Sequence, residues 1–261
     1  MQESGRPRLA VYKLSSCAGC QLQILNVEDL LLDIAAAVEI AYFPMASRQM
    51  DPGPYDIGFV EGAVTSPEEI QRVKQARQQC RLLVALGSCA AFGGVPANKN
   101  RFAQRVVEQQ VYQHPEVLNS VEARPVEHYV RLDATLRGCP IHPEEFLELV
   151  KGALIGATPR LPNYSLCLEC RLRENACLFA QELCLGPITA AGCGALCPRL
   201  GRSCQGCRGP AEGVNLAGFA RLLQEKGYER AIIQNQLGKY AAAAPGVALA
   251  MAALRWEEER R

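Results

Sequence analysis

Arg8-Leu9-Ala10-Val11-Tyr12-Lys13-Leu14-Ser15-Ser16-Cys17-Ala18-Gly19-Cys20 is the stretch whose reading decides the fold. Its first seven residues form an apolar, β-favouring run, and a turn of small residues carrying two cysteines follows. Beyond it, residues 20–36 read as a helix, with Leu22, Ile24, Leu25, Leu31, Leu32 and Ile34 among its apolar positions. A strand feeding a helix through a tight turn begins a β-α unit. The same alternation continues outward. Val38 to Phe43 reads as a second strand and Asp56-Ile57-Gly58-Phe59-Val60 as a third. Ser66-Pro67-Glu68-Glu69 then opens a helix: Ser66 is placed to cap it, Pro67 suits the first turn, and Glu69 is placed to close a capping box. Leu82–Leu86 is a fourth strand, a helix lies over roughly 100–112, a fifth strand lies near Tyr129–Leu132, and Glu144–Leu154 is helical. Alternation of this kind predicts an α/β fold with a parallel sheet, and a flavodoxin-like strand order is favoured.

The pattern changes at Thr158-Pro159-Arg160-Leu161-Pro162, which divides the chain into 1–160 and 161–261. Residues 163–210 carry eight cysteines, several glycines and little periodicity. An irregular stretch of that length is uncommon unless it is functional or disordered. Metal binding supplies folding energy where a hydrophobic core does not. After Pro210 the chain turns helical again, with Asn215 as a cap, then Leu216–Leu223, then a tail over Val247–Trp256.

Composition narrows the function. Lys plus Arg is 28 and Asp plus Glu is 27, so no charge excess asks for nucleic acid or an anionic membrane. Leu30–Val38 is short and broken by Asp33, and Ala241–Leu254 is interrupted by Pro245-Gly246; neither reads as a membrane span. Met1-Gln2-Glu3-Ser4 is followed by isolated arginines with no apolar run behind them, so the chain reads as cytoplasmic. The outlier is cysteine, at 13 residues. In a cytosolic protein such a number points to metal binding first and redox chemistry second, rather than to disulfides.

Two sets of cysteines emerge. Cys17, Cys20, Cys89 and Cys139 each lie just past the end of an expected strand, the edge at which open α/β sheets bind ligands. Four thiolates converging there would suit a [4Fe–4S] cluster, and the helix N-termini after Cys20 and near Cys89 would point N–H groups at its sulfurs. Cys17 and Cys20 alone also allow a zinc site or a thioredoxin-like dithiol, readings that the strand-end placing of Cys89 and Cys139 weakens sharply. The second set divides by chain order into Cys167, Cys170, Cys177 and Cys184, then Cys193, Cys197, Cys204 and Cys207. Two all-cysteine zinc sites fit that spacing as well.

Taken together, Cys17-Ala18-Gly19-Cys20, Asp56-Ile57-Gly58-Phe59-Val60-Glu61-Gly62, Gly87-Ser88-Cys89-Ala90 and Gly138-Cys139-Pro140 resemble the small subunit of [NiFe]-hydrogenases. So do Cys167-Leu168-Glu169-Cys170, Cys184-Leu185-Gly186-Pro187, Gly192-Cys193-Gly194-Ala195-Leu196-Cys197-Pro198 and Cys204-Gln205-Gly206-Cys207-Arg208-Gly209-Pro210. The likeness covers roughly residues 8–210 and is to the cytoplasmic group: sulfhydrogenase delta subunits and the small subunits of F420-non-reducing hydrogenases. It implies three [4Fe–4S] clusters and no catalytic residue in this chain. The proximal cluster would sit on Cys17, Cys20, Cys89 and Cys139, facing a large subunit with the nickel–iron site. The distal one would sit on Cys167, Cys170, Cys177 and Cys184, and the medial one on Cys193, Cys197, Cys204 and Cys207. Membrane-bound and periplasmic members have histidine where Cys167 stands and commonly lack a ligand at Cys197; cysteine at both places implies four-iron clusters throughout. The partners implied are that large subunit and flavin-bearing, diaphorase-type subunits. The single-cluster subunit of respiratory complex I shares the fold but leaves eight cysteines unused.

Outside these sets, Cys80 reads as a buried structural thiol. Glu61 ends the third strand on the ligand edge, which suits partner contact or proton traffic as well as a capped carboxylate. His142 is placed as a donor near Cys139, while His114 and His128 read as surface or strand residues, and Trp256 as core or subunit packing.

Overall fold

A computed structural model describes residues 5–27, 36–48, 50–157 and 161–256. The chain divides into two compact units, Met1–Pro159 and Arg160–Arg261.

The first unit is built on five parallel strands: β1 (Arg8–Lys13), β2 (Glu39–Tyr42), β3 (Tyr55–Glu61), β4 (Cys80–Leu86) and β5 (Ala134–Leu136). Their order is β2-β1-β3-β4-β5, the flavodoxin order, with the switch point between β1 and β3. Leu9 pairs with Ile57 and Lys13 with Glu61, so the ends of β1 and β3 lie side by side at the ligand edge. Alternate side chains feed opposite faces of this sheet. Ala10, Tyr12 and Val60 enter one core with Val73 and Ala76 of helix Pro67–Gln79. Phe59 instead meets Phe146 of helix Pro143–Leu154 at 5.1 Å between ring centroids. Burying one such side chain fully is worth about 1.5–3 kcal/mol.

Several expectations are refined. Ser66 does cap helix Pro67–Gln79, accepting from the Glu69 N–H at 3.3 Å. Glu69, however, reaches past Ser66 and accepts from the Thr65 N–H at 2.7 Å and from the Ser15 hydroxyl at 3.0 Å. The fifth strand lies at Ala134–Leu136 rather than near Tyr129–Leu132. Tyr129, Val130 and Leu132 spend their apolar surface on the core, and pairing starts only where Asp133 engages the Leu83 N–H through its carboxylate at 2.7 Å. Helix α1 covers Gly19–Leu25; Leu31, Leu32 and Ile34 of the longer expected helix lie outside the described residues. So do Met1–Ser4 and Thr158-Pro159-Arg160 of the expected boundary.

In the second unit, three short segments are stitched together irregularly. Leu166 N donates to Thr189 O, Ala190 N to Gly209 O, and Ala211 N to Ile188 O. Ser165 caps the short helix Leu166–Leu172. The core here is partly sulfur: Leu166, Cys184, Ala195 and Cys204 are buried together, with Phe179 packed beside them. Helices Leu216–Glu225, Arg230–Ala241 and Pro245–Trp256 close the unit through buried Phe219, Leu223, Ile233, Leu237, Val247 and Leu254. Asn215 caps the first of them through the Gly218 N–H at 2.8 Å. The side chain of Trp256 lies outside the described residues. Among the described residues, no helix is long and apolar enough to cross a membrane.

Candidate iron–sulfur sites

All thirteen cysteines are free thiols. In the first unit, Cys17, Cys89 and Cys139 line one cavity of about 1060 Å³ at the carboxyl edge of the sheet, together with Lys13, Ser16 and Tyr42. Cys20 sits behind them, buried, within electrostatic reach of both Cys89 and Cys139. The structure therefore gathers all four residues of the first set.

Backbone comes close to these sulfurs because side chains are missing. A Cβ on Gly94 would lie 2.6 Å from Cys89 Sγ, and one on Gly87 would collide with Cys20 Sγ. The Gly19 N–H approaches Cys17 Sγ at 3.4 Å. Amide hydrogen bonds also reach Cys20 from Ile141 and Cys89 from Val95. Gly19 is the first residue of α1 and Val95 the first of a short 3-10 helix, so two of these donors come from helix starts, while Ile141 donates from a loop. The next amide of α1, the Cys20 N–H, goes instead to Glu61 Oε1 at 3.0 Å.

Glu61 is buried at 1% exposure, and its other oxygen accepts from Gln21 Nε2 at 2.6 Å. Both carboxylate oxygens are thus engaged in fastening the C-x2-C turn to the end of β3. The apolar pattern of the sequence gives the inward position to Leu22 and passes over Gln21, yet Leu22 is 46% exposed. A glutamine directly after the turn and a carboxylate ending a strand were the available signal.

Burial, reinforced by the Glu61 carboxylate, pushes the Cys20 thiol well above its ordinary range; the Ile141 amide opposes this. Burial raises Cys89 in the same way, with the Val95 amide opposing and Cys17 adding. A raised thiol pKa is the reverse of what an attacking redox cysteine needs. A metal ligand also needs the thiolate, so these thiols would give up their protons on binding.

The second unit brings Cys167, Cys170, Cys177 and Cys184 around one small cavity of about 90 Å³. Burial raises the Cys167 thiol, and Cys184, Cys170 and Cys177 add to it. A Cβ on Gly186 would stand 3.4 Å from both Cys167 and Cys184 Sγ. The remaining four approach as two pairs. Burial, then Cys193 and Cys184, raise Cys197; burial, then Cys207 and Cys184, push Cys204 up to about 12, with the Gly206 amide opposing. Cys184 thus stands next to both quartets and accepts the Cys204 N–H on its sulfur at 3.3 Å. Among the described residues, no group of three or more His, Cys, Asp or Glu side chains converges tightly enough to hold a single metal ion. The four thiolates of a four-iron cage bind four different irons and stand further apart. Bare sulfurs, amide donors and absent Cβ atoms together fit such a group.

Of the other candidates, Cys80 opens β4, buried beneath Gly58 and 4.0 Å from the Tyr12 hydroxyl. Burial pushes its thiol up to about 11. His142 precedes helix Pro143–Leu154, and its buried Nδ1 makes no hydrogen bond. His114 pairs with Glu116 on the surface, and His128 packs edge-on against Tyr129.

Residues 17–153 match the family "NADH ubiquinone oxidoreductase, 20 Kd subunit". A subunit in the crystal structure of an NAD+-reducing [NiFe]-hydrogenase in its H2-reduced state aligns with TM-score 0.57 and 28% identity, over 60% of this chain and 96% of that one. Sulfhydrogenase 2 subunit delta of Pyrococcus furiosus is 36% identical over 84% of this chain and 92% of its own length. The chain belongs to the [NiFe]-hydrogenase small subunits. A match over 84% of the chain runs well beyond residue 153, into the second cysteine block. The vhu F420-non-reducing hydrogenase of Methanocaldococcus jannaschii has a subunit that is 29% identical, over 78% of this chain and 82% of its own. The actinobacterial-type NiFe-hydrogenase of Ralstonia eutropha aligns over 98% of this chain with TM-score 0.58 at 14% identity, a likeness of fold. A small subunit of this kind is a component of an oxidoreductase complex. The sulfhydrogenase delta subunits and their F420-non-reducing hydrogenase counterparts are the group the sequence motifs resemble.

Proposed function

We propose that this small subunit relays electrons through three [4Fe–4S] clusters between the nickel–iron site of a large subunit and a diaphorase-type flavin or iron–sulfur subunit, in the cytoplasm. The observation that carries the reading is the gathering of Cys17, Cys89 and Cys139 in one open cavity at the sheet edge, with Cys20 buried behind them. Residues 1–160 form the unit of the proximal cluster, on Cys17, Cys20, Cys89 and Cys139. Residues 161–261 form the unit of the distal cluster, on Cys167, Cys170, Cys177 and Cys184, and the medial cluster, on Cys193, Cys197, Cys204 and Cys207.

When bound, each cluster supplies a one-electron store whose potential is set by its surroundings. The protein's part is to arrange those surroundings. Glu61 and Gln21 fix the turn that carries Cys17 and Cys20. Backbone amides at Ile141 and Val95 favour the thiolate form of Cys20 and Cys89. Ser165 sets the start of the helix bearing Cys167 and Cys170, accepting the Cys167 N–H at 3.2 Å. In this reading the chemistry on hydrogen belongs to the large subunit.

The test is anaerobic co-purification with the large subunit, followed by exposure to hydrogen under electron paramagnetic resonance. The reading expects reduced-cluster signals that depend on hydrogen and on the partner. Zinc in place of iron would support a scaffold. Iron confined to about one four-iron cluster per chain would support a complex I-like role.

A further inference from the structure

Among the three C-x2-C pairs, one encloses a carboxylate: Cys167-Leu168-Glu169-Cys170. Glu169 does not turn to solvent. Its Oε1 accepts the Gly192 N–H at 2.8 Å and its Oε2 accepts the Ala195 N–H at 3.2 Å. Gly192 and Ala195 flank Cys193, so a side chain rooted between two cysteines of one quartet clasps the loop that presents the first cysteine of the other. One turn further along, Arg173 packs under the same loop: a Cβ on Gly194 would stand 2.8 Å from Arg173 Nη2.

The clasp has an electrostatic consequence as well as a geometric one. Elsewhere in this unit backbone amides donate to sulfur, from Cys204 to Cys184 at 3.3 Å and from Gly206 to Cys204 at 3.4 Å. The amides of Gly192 and Ala195 are occupied by Glu169 instead. Hydrogen bonds to cluster sulfur and nearby positive charge raise a reduction potential, whereas negative charge lowers it. A half-buried carboxylate is screened less than one in open water.

We propose that Glu169 is a positioning residue that couples the two quartets of the second unit, seating the Cys193 loop on the helix of Cys167 and Cys170 and holding both sites at lower potential. This rests on the cluster reading above.

The experiment is a redox titration of the anaerobically purified complex, followed by electron paramagnetic resonance, with iron counted in parallel. Glu169→Gln removes the charge and one of the two acceptors. Both second-unit clusters are expected to become easier to reduce, by around tenfold in the one-electron equilibrium constant, or about 59 mV. Glu174→Gln, which neutralises an exposed carboxylate just past the same helix, is expected to leave them in place. Unshifted potentials in Glu169→Gln with full iron, or an equal shift in Glu174→Gln, would overturn the proposal. Where Glu169→Gln loses iron, Glu169→Asp decides: iron kept with the charge supports the clasp, and iron lost from both variants reduces the residue to packing and overturns it. Absence of iron from the second unit of the native complex would remove the cluster reading itself, and is seen before any variant is made.

Discussion

Gly94→Ala is the substitution that separates a cluster cradle from an ordinary turn. Gly94 has φ 52° and ψ −147°, a conformation alanine reaches only at about 1–3 kcal/mol. Its Cβ would also stand 2.6 Å from Cys89 Sγ and 2.7 Å from Cys89 Cα. An ordinary carbon contact lies at about 3.5–4.0 Å, so the sulfur must retreat by about 0.9 Å or more. Overpacking of this kind adds about 1–3 kcal/mol, for a total of about 2–6 kcal/mol. A shift of that size exceeds by far the tolerance of about 0.2 Å on a metal–ligand distance. It also carries away the Val95 amide that reaches Cys89. The expected result is loss of about four irons per chain from the first unit, with the second-unit signals retained. Gly156→Ala is the control: φ is 72°, but nothing lies within 4 Å of the added carbon. It carries only the backbone cost of about 1–2 kcal/mol and leaves iron unchanged. Iron analysis and electron paramagnetic resonance of the two purified variants decide the matter. Full iron in Gly94→Ala, or equal losses in both, would show that Gly94 is an ordinary turn and no cradle.

Three further outcomes follow from the same contacts. Glu61→Ala strands the buried Cys20 N–H and Gln21 amide at about 1–3 kcal/mol each, so the unfolding midpoint falls sharply. Glu61→Gln falls less, because Gln21 can turn its amide and meet the new donor; equal losses would contradict a role for Glu61 in fastening the Cys17–Cys20 turn. Cys80→Ala costs about 1–2 kcal/mol and removes no iron, since that thiol faces Gly58 and Tyr12 rather than either cysteine set; any iron lost would place it in a cage. Burial opposes ionisation of Asp133, but its hydrogen bonds from Arg77 and the Leu83 amide prevail and hold its carboxyl below the usual range. A depressed folded pKa gives stability that is present above the unfolded value of about 3.9 and is lost as pH falls through the folded one. Urea midpoints of the native chain and Asp133→Asn should therefore converge below about pH 4; a gap unchanged by pH would contradict this.

Much of the first unit was legible because its signals are local. Val11, Phe59 and Val84 lie in apolar runs long enough to be strands whatever surrounds them, and Ser66-Pro67 marks a helix start by its own chemistry. The fifth strand slipped because Tyr129, Val130 and Leu132 look like a ladder but serve the core, while the true start depends on Asp133 meeting Leu83, fifty residues away in the chain. Helix Arg230–Ala241 escapes a reading by pattern: its inward stripe includes small Gly238 and Ala241 beside Ile233 and Leu237, while apolar Ile232 faces outward. At the site, cysteine identity and strand ends were enough to bring four residues together on paper. Gln21 and Glu169 were not, because their roles lie in hydrogen bonds to distant backbone and side chains that no spacing records.

The proposed relay requires twelve cysteines of this chain to form three separate iron–sulfur cages. Iron, acid-labile sulfide and zinc measured per chain in the anaerobically prepared complex, after subtraction of the partner's metal, test it most directly. Three four-iron cages give about twelve irons and about twelve sulfides, with zinc absent. Zinc bound to the second block without sulfide would contradict it.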